Sequence, residues 1–318
     1  MYYMGIDLGG TNIAVALVNE KLEIVARDKT PTRAERPGEE VIRDMAMVCQ
    51  RVLDTAGLKV EDVEYAGIAT PGIADSKHGV VVYANNLHFR NFEIAKVLKS
   101  YIPFKKVYVA NDANAAALGE AVAGSAKGIA DAVFITLGTG VGGGIIIDHK
   151  IYSGYNYAGA ELGHVVIRHN GRPCSCGRRG CWEAYSSATA LIKRTKEVMR
   201  KHKDSVMWEL AGGKLSGVSG RTAFDAMRKN DPAGCEVVNW YIEHLATGLT
   251  NMINIFQPQI LCIGGGICNE KDYLLKPLKK IIDKEQYTRD MEERTEVKIA
   301  SLGNDAGIIG AAALGMKF

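Results

Sequence analysis

The chain has 318 residues, 47% hydrophobic and 24% charged, with 39 basic against 36 acidic side chains and a formal net charge of +3. That length allows about two domains, the composition is that of a core-forming globular protein, and charge this balanced does not point to nucleic acid or an anionic membrane as the main partner. No apolar run approaches the ~18 residues that span a bilayer, and the N-terminus lacks the pattern of a secretory leader.

Met4–Leu8 and Ile13–Val18 read as strands of a hairpin around Gly9-Gly10-Thr11-Asn12, with Leu22–Thr30 as a third strand. Apolar positions 41, 45, 48, 49, 52 and 53 form a helical stripe from Glu39 to Ala56, stopped by Gly57. Val63–Thr70 is a strand, Phe92–Tyr101 an amphipathic helix and Lys106–Ala110 a strand. Asn111-Asp112-Ala-Asn114 then opens a helix through Ala123, with Asn or Asp as its cap. Ala132–Leu137, a turn at Gly138-Thr139-Gly140-Val-Gly-Gly-Gly144 and Ile145–Asp148 repeat the opening strand–glycine turn–strand unit. A long helix from about Cys235 to Phe256 ends before Pro258, followed by a strand at Gln259–Ile263 and Gly264-Gly265-Gly266. Val297–Ser301 is a strand and Ala306–Leu314 a small-residue helix. The alternation predicts an α/β protein, and the repeat predicts two related halves divided near residue 120.

His164, Cys174, Cys176 and Cys181 have the donor set of a closed tetrahedral zinc site. An extended Cys174-Ser-Cys176 would point both thiolates one way, and Gly177 and Gly180 would let the chain turn back to Cys181. An ion there would fix Glu161 and Glu183 on the flanks. The remaining cysteines, Cys49, Cys235, Cys262 and Cys268, read as small hydrophobes, and this usage suits a reducing cytosol. The glycine turns, with Thr11 and Thr139 at their tips, suit phosphate oxygens, because glycine permits close approach and positive φ. Asp7 is placed to hold water on a phosphate-bound Mg²⁺. Neither a Walker-type nor a dinucleotide motif is present. Asp112, at a strand-to-helix junction, is the candidate base for a hydroxyl attacking a phosphoryl group; the plainer reading is a helix N-cap.

Asp7-Leu-Gly-Gly-Thr11, Thr70-Pro-Gly72, Asn111-Asp112-Ala-Asn114, Leu137-Gly-Thr-Gly-Val-Gly-Gly-Gly144, Glu161-Leu-Gly-His164, Cys174-Ser-Cys-Gly-Arg-Arg-Gly-Cys181-Trp-Glu183 and Asp305-Ala-Gly307 resemble, in order, the ROK family of sugar kinases and repressors. The resemblance implies an actin-like, ribonuclease-H-like ATPase fold: two α/β domains, 1–118 and 119–302, around a central cleft, with the last helix (about 303–318) crossing back to the first domain and a structural zinc loop at 164–183. It implies ATP and Mg²⁺, and a homodimer or dimer of dimers; with the donor set and cysteine usage above, the expected cofactors are ATP, Mg²⁺ and structural Zn²⁺ and the expected compartment the cytoplasm. Carried over by position, it gives Asp112 as catalytic base against a sugar 6-hydroxyl. Gly72, Asn86, Asn111, Asp112, Glu161, His164 and Glu183 match sugar-contacting positions. His164 would hold zinc with one ring nitrogen and face the sugar with the other. Gly10, Thr11, Asn12, Gly138, Thr139 and Gly140 match the phosphate loops, and Gly265 and Gly266 the adenosine end. One departure stands out: many members read Asn-x-Gly-Trp where this chain has Asn86-Leu-His88-Phe89, and a solvent-facing loop is the expected place for His88. The context around Asn86 and Glu183 is most like bacterial glucokinases; kinases for N-acetylmannosamine, N-acetylglucosamine, allose and fructose share the motifs. Repressor members carry about eighty residues of DNA-binding segment before the Asp-x-Gly-Gly-Thr motif, which here starts at residue 7, so the expectation is an enzyme. The basic run Lys193–Lys203 is expected as a solvated helix face.

Overall fold

The computed structural model describes residues 1–316. Its first elements are β1 (Tyr2–Leu8), β2 (Asn12–Asn19), β3 (Ile24–Pro31), α1 (Gly38–Ala56), β4 (Val63–Thr70), β5 (Ile73–Asp75), β6 (Val80–Ala84), β7 (Phe89–Phe92), α2 (Ile94–Tyr101), β8 (Val107–Asn111) and α3 (Asp112–Ala123). There follow β9 (Ala132–Leu137), β10 (Val141–Ile147), β11 (Lys150–Ile151), α4 (Glu183–Ser186), α5 (Ala188–Lys201), α6 (Met207–Leu210), α7 (Thr222–Arg228), α8 (Pro232–Phe256), β12 (Ile260–Gly264), α9 (Asp272–Glu285), β13 (Glu296–Ile299) and α10 (Ala306–Ala313). They make two compact units: residues 1–132 and 144–160 with those from Ala300 on, and residues 133–143 with 161–299. The expected boundary at 118/119 falls inside α3, which lies whole in the first unit.

The first unit is built on a sheet of order β3-β2-β1-β4-β8. β1 and β2 form the predicted antiparallel hairpin, while β1, β4 and β8 run parallel. One sheet face buries Met4, Ile6, Leu8, Val15 and Ile68 against Val41, Ile42, Met45, Cys49, Val52 and Leu53 of α1. The helix ends where Gly57 takes the left-handed conformation, φ 68°. The other face carries glycine where α10 crosses: a Cβ on Gly5 would lie 2.2 Å from the Ile308 carbonyl, and one on Gly67 1.8 Å from that of Ala311. Such backbone-to-backbone approach explains the run of small residues at 306–313. The buried carboxylate of Glu120, in α3, fastens the approach to α10: it accepts from the amides and hydroxyls of Ser125 and Ser301 and from the Leu302 amide.

Phe92, expected in a helix, ends strand β7 of a small sheet of order β5-β6-β7. Strands of three to five residues, one interrupted by a register shift, are too short to show a period.

In the second unit β12 and β13 pair in parallel within a sheet of order β11-β10-β9-β12-β13, whose β10 continues into residues counted with the first unit. Helix α8 is capped by Asp231, which accepts from the Gly234 amide at 2.7 Å, with Pro232 in its first turn. Trp182, fully buried, lies against this helix at Gly248, where a Cβ would sit 1.9 Å from its ring. The Lys193–Lys203 run lies mostly on α5, whose Arg194 pairs with Glu236 at 2.7 Å.

Candidate active site

In the first unit, β1 and β8 deliver two carboxylates. Asn111 ends β8 and caps α3: its Oδ1 accepts from the amides of Ala113 (2.9 Å) and Asn114 (3.2 Å), and its Nδ2 donates to the Gly72 carbonyl at 2.9 Å. The N-cap reading of Asp112 is thereby corrected, since its neighbour fills that role and Asp112 starts the helix itself. Asp112 Oδ1 accepts from the Ala113 amide at 2.8 Å. Burial, and then the charge of Asp112, push the Asp7 carboxyl up to about 6. A buried carboxylate whose proton affinity is raised by a second carboxylate is one that a divalent cation would relieve, so Asp7 fits the Mg²⁺ role. Gly307 packs against it, a Cβ there falling 3.2 Å from Asp7 Oδ2. Gly72 needs its glycine, with φ 88° and the Tyr83 carbonyl 2.0 Å from where a Cβ would stand. Asn86 is exposed and adjoins Gly10. His88 is exposed, as expected, and has φ 55°, the left-handed conformation suited to the glycine that many members of the family carry there.

The first glycine turn closes with the Gly9 amide donating to the Asn12 carbonyl at 2.9 Å. The second closes with the Gly138 amide on the Gly140 carbonyl at 3.0 Å. Of the two expected reasons for glycine here, close approach and positive φ, the second does not apply: Gly9, Gly10, Gly138 and Gly140 all lie outside the left-handed region. Space is the better account at Gly140, where a Cβ would come within 2.3 Å of Glu183 Oε2. Gly265, at φ 102°, does take the left-handed region and packs on the Leu137 backbone, so that Gly265 and Gly266 adjoin the end of β9.

The four candidate metal ligands of the second unit come together, their donor atoms all within 4.8 Å of one another. Zinc–sulfur bonds of about 2.3 Å give a tetrahedron with sulfur–sulfur edges of about 3.8 Å. Cys176 and Cys181 Sγ are 3.6 Å apart, and Cys174 Sγ is 3.7 Å from His164 Nδ1. The set therefore fits zinc, with His164 Nδ1 on the ion's side and Nε2 on the opposite edge of the ring. Cys174-Ser-Cys176 is a turn rather than the expected extended stretch, closed by the Gly177 amide on the Cys174 carbonyl at 3.1 Å. Gly177 and Gly180 take φ 87° and 83°, as the reversal requires. Burial, followed by its hydrogen-bonded cysteine neighbours, pushes the Cys181 thiol up to about 12, so a cation must displace its proton.

Glu183 links the two features of this unit. Its Oε2 accepts from the Val141 amide at 3.1 Å, and its Oε1 from the Ser175 hydroxyl at 3.2 Å. Glu161 is exposed, and its carbonyl accepts from the His164 amide at 3.1 Å. The unit thus gathers Gly138, Thr139, Gly140, Glu161, His164, the three cysteines, Glu183, Gly265 and Gly266. The first holds Asp7, Gly10, Thr11, Asn12, Gly72, Asn86, Asn111 and Asp112. Sequence reasoning missed Thr32 and Thr189, which carry no motif of their own and touch the glycine turns only in the folded chain.

Two α/β units, with paired carboxylates on the first and glycine turns on both, agree with the actin-like, ribonuclease-H-like ATPase fold. A family model matches residues 3–317, and the chain belongs to the ROK family. It is 37% identical over 314 residues to the glucokinase of Thermotoga maritima, covering 98% of this chain and 96% of that one. It is 34% identical over 310 residues to the glucokinase of Halalkalibacterium halodurans, covering 97% and 93%. A ROK family glucokinase from Streptomyces griseus, solved in complex with glucose and AMPPNP, superposes with a TM-score of 0.83 at 32% identity over 99% of both chains. Among the described residues no helix is long and apolar enough to cross a membrane.

Proposed function

We propose that this chain is an ATP-dependent hexokinase that phosphorylates the 6-hydroxyl of glucose and works in the cytoplasm as a homodimer or dimer of dimers. The observation that carries the chemistry is the division of labour at the β8–α3 junction. Asn111 takes the capping duty, and Asp112 presents a carboxylate electrostatically coupled to Asp7. The choice of glucose is supported by the likeness to glucokinases along nearly the whole chain.

Asp112 accepts the proton of the 6-hydroxyl as its oxygen attacks the γ-phosphorus. Catalytic aspartates in kinases take up the proton of an attacking hydroxyl in this way. Gly72, Asn86, Asn111, Glu161, His164 and Glu183 hold the sugar, and bidentate acceptors and amide donors of this kind suit vicinal hydroxyls. Amides of the turns at 10–12 and 138–140 receive phosphate oxygens, and Gly265 and Gly266 lie at the adenosine end. Asp7 would hold water on a phosphate-bound Mg²⁺, which would neutralise charge on the transferred group. Zinc would be held by His164, Cys174, Cys176 and Cys181, and its work is to fix the loop that carries His164 and Glu183. Positioning and fixed dipoles supply most of the rate in such transfers.

The test is a coupled ATP-consumption assay over glucose, mannose, fructose, allose and the N-acetylhexosamines. Turnover greatest on glucose supports the reading, a preference for another sugar reassigns the substrate, and no turnover on any of them refutes it. Asp112→Asn should retain the fold and sugar affinity while turnover drops by roughly 10²–10⁴.

A further inference from the structure

Each glycine turn is held from behind by a threonine hydroxyl. Thr32, fully buried just after β3, donates its Oγ1 to the Gly9 carbonyl at 2.6 Å and its amide to the Thr11 carbonyl at 2.9 Å. In the other unit Thr189, in the first turn of α5, donates Oγ1 to the Thr139 carbonyl at 2.8 Å, and the Ala188 amide reaches the Gly138 carbonyl at 2.9 Å. The two arrangements come from unrelated segments, one a strand end and one a helix start, yet each supplies one hydroxyl and one amide to two turn carbonyls.

The consequence follows from peptide geometry. In a planar trans peptide the C=O of one residue and the N–H of the next point in opposite directions. A captured Gly9 carbonyl therefore turns the Gly10 amide the other way. Captured Gly138 and Thr139 carbonyls do the same to the amides of Thr139 and Gly140. None of these three amides has a hydrogen-bond partner among the described residues. Flexible glycine turns would otherwise sample many orientations, and an anion would have to order them on binding.

We propose that Thr32 and Thr189 are positioning residues for the nucleotide: their hydroxyls lock the two turns with amides presented to the phosphate oxygens. This rests on the reading of the turns as phosphate loops. It predicts a nucleotide-specific defect rather than a general one.

The experiment compares wild type with Thr32→Val, Thr32→Ser, Thr189→Ala and Thr189→Ser, all zinc-loaded. Calorimetry measures AMPPNP affinity in Mg²⁺, and steady-state kinetics give KM for ATP and for sugar separately. Loss of one net hydrogen bond corresponds to about five-fold. Thr32→Val and Thr189→Ala should each weaken AMPPNP binding and raise KM for ATP by about that factor. Sugar KM should stay within two-fold, and both serine variants should recover wild-type values. Equal AMPPNP affinity in all variants, equal loss of sugar and nucleotide binding, or serine variants as poor as valine and alanine would each overturn the proposal. Thr189 is exposed, so its variants decide the matter even where Thr32→Val fails to fold. A wild-type protein that binds no AMPPNP and phosphorylates no sugar would instead sink the kinase reading itself, leaving the two failures distinct.

Discussion

Replacing Asp7 with asparagine should make the unliganded protein more stable and nearly inactive. Burial and the neighbouring Asp112 raise the Asp7 carboxyl from 3.8 to about 6. The folded protein therefore holds a proton more tightly than the unfolded chain between those two values. The stability attached to that proton is fully present below pH 3.8 and lost as pH rises through 6. At pH 8 the folded state must keep an anion in an unfavourable place. At 1.36 kcal/mol for each tenfold change in proton affinity, the rise from 3.8 to about 6 costs about 3 kcal/mol. Asparagine has nearly the same shape and cannot ionise. The gain over wild type should be about 3 kcal/mol at pH 8 and about 1 kcal/mol at pH 4.5. Urea melts at the two pH values, in zinc-containing but magnesium- and nucleotide-free buffer, measure it. Zinc loss in acid is common to both proteins and cancels in the difference. A gain that does not change with pH, or a loss of stability at pH 8, would show that Asp7 carries no such burden.

Cys176→Ser should lower bound zinc from about one ion per chain to near zero by elemental analysis and bring thermal unfolding down by several degrees, because a structural site contributes its binding energy to folding; an unchanged zinc content would contradict the tetrahedral assignment. Gly248→Ala should destabilise by about 1–3 kcal/mol in chemical denaturation, since the methyl must displace the Trp182 ring from a packed interior, and a neutral result would mean the ring has room to move. His88→Gly should raise stability by about 0.5–1 kcal/mol by relieving a side chain from φ 55°, with sugar KM unchanged; a rise in sugar KM would instead give His88 a part in binding.

Several long elements were legible in the sequence, although α9, fourteen residues long, was not assigned. Val63–Thr70 and Ala132–Leu137 match their strands residue for residue, and α1 begins one residue before its predicted start and ends on the predicted Ala56. The β5–β7 sheet and helices α4, α6 and α7 were not legible, because three to seven residues cannot display a repeat that separates helix from strand. The zinc ligands were plain because a metal needs particular atoms. The turn that joins Cys174 to Cys176 was not, since its shape depends on one hydrogen bond to a carbonyl three residues back. Asn111 and Asp112 were both marked, but which one caps the helix is a matter of register that adjacent cap-forming residues leave open. Glu120 gave no signal: within an alanine-rich helix it looks like an exposed helix former, and only the distant Ser301 and Leu302 explain its burial.

The dependence of the first sheet on α10 has a bearing on biosynthesis. Residues 1–132 emerge from the ribosome long before Ala306–Ala313, the segment that roofs Gly5 and Gly67. With about 170 residues between them, translated at roughly 5–20 per second, the nascent sheet waits about nine to thirty-five seconds with its glycine side uncovered. A chaperone that shields this side during elongation, or a premature stop codon that removes the roof, would therefore act on the earliest-made part of the molecule through its latest-made part.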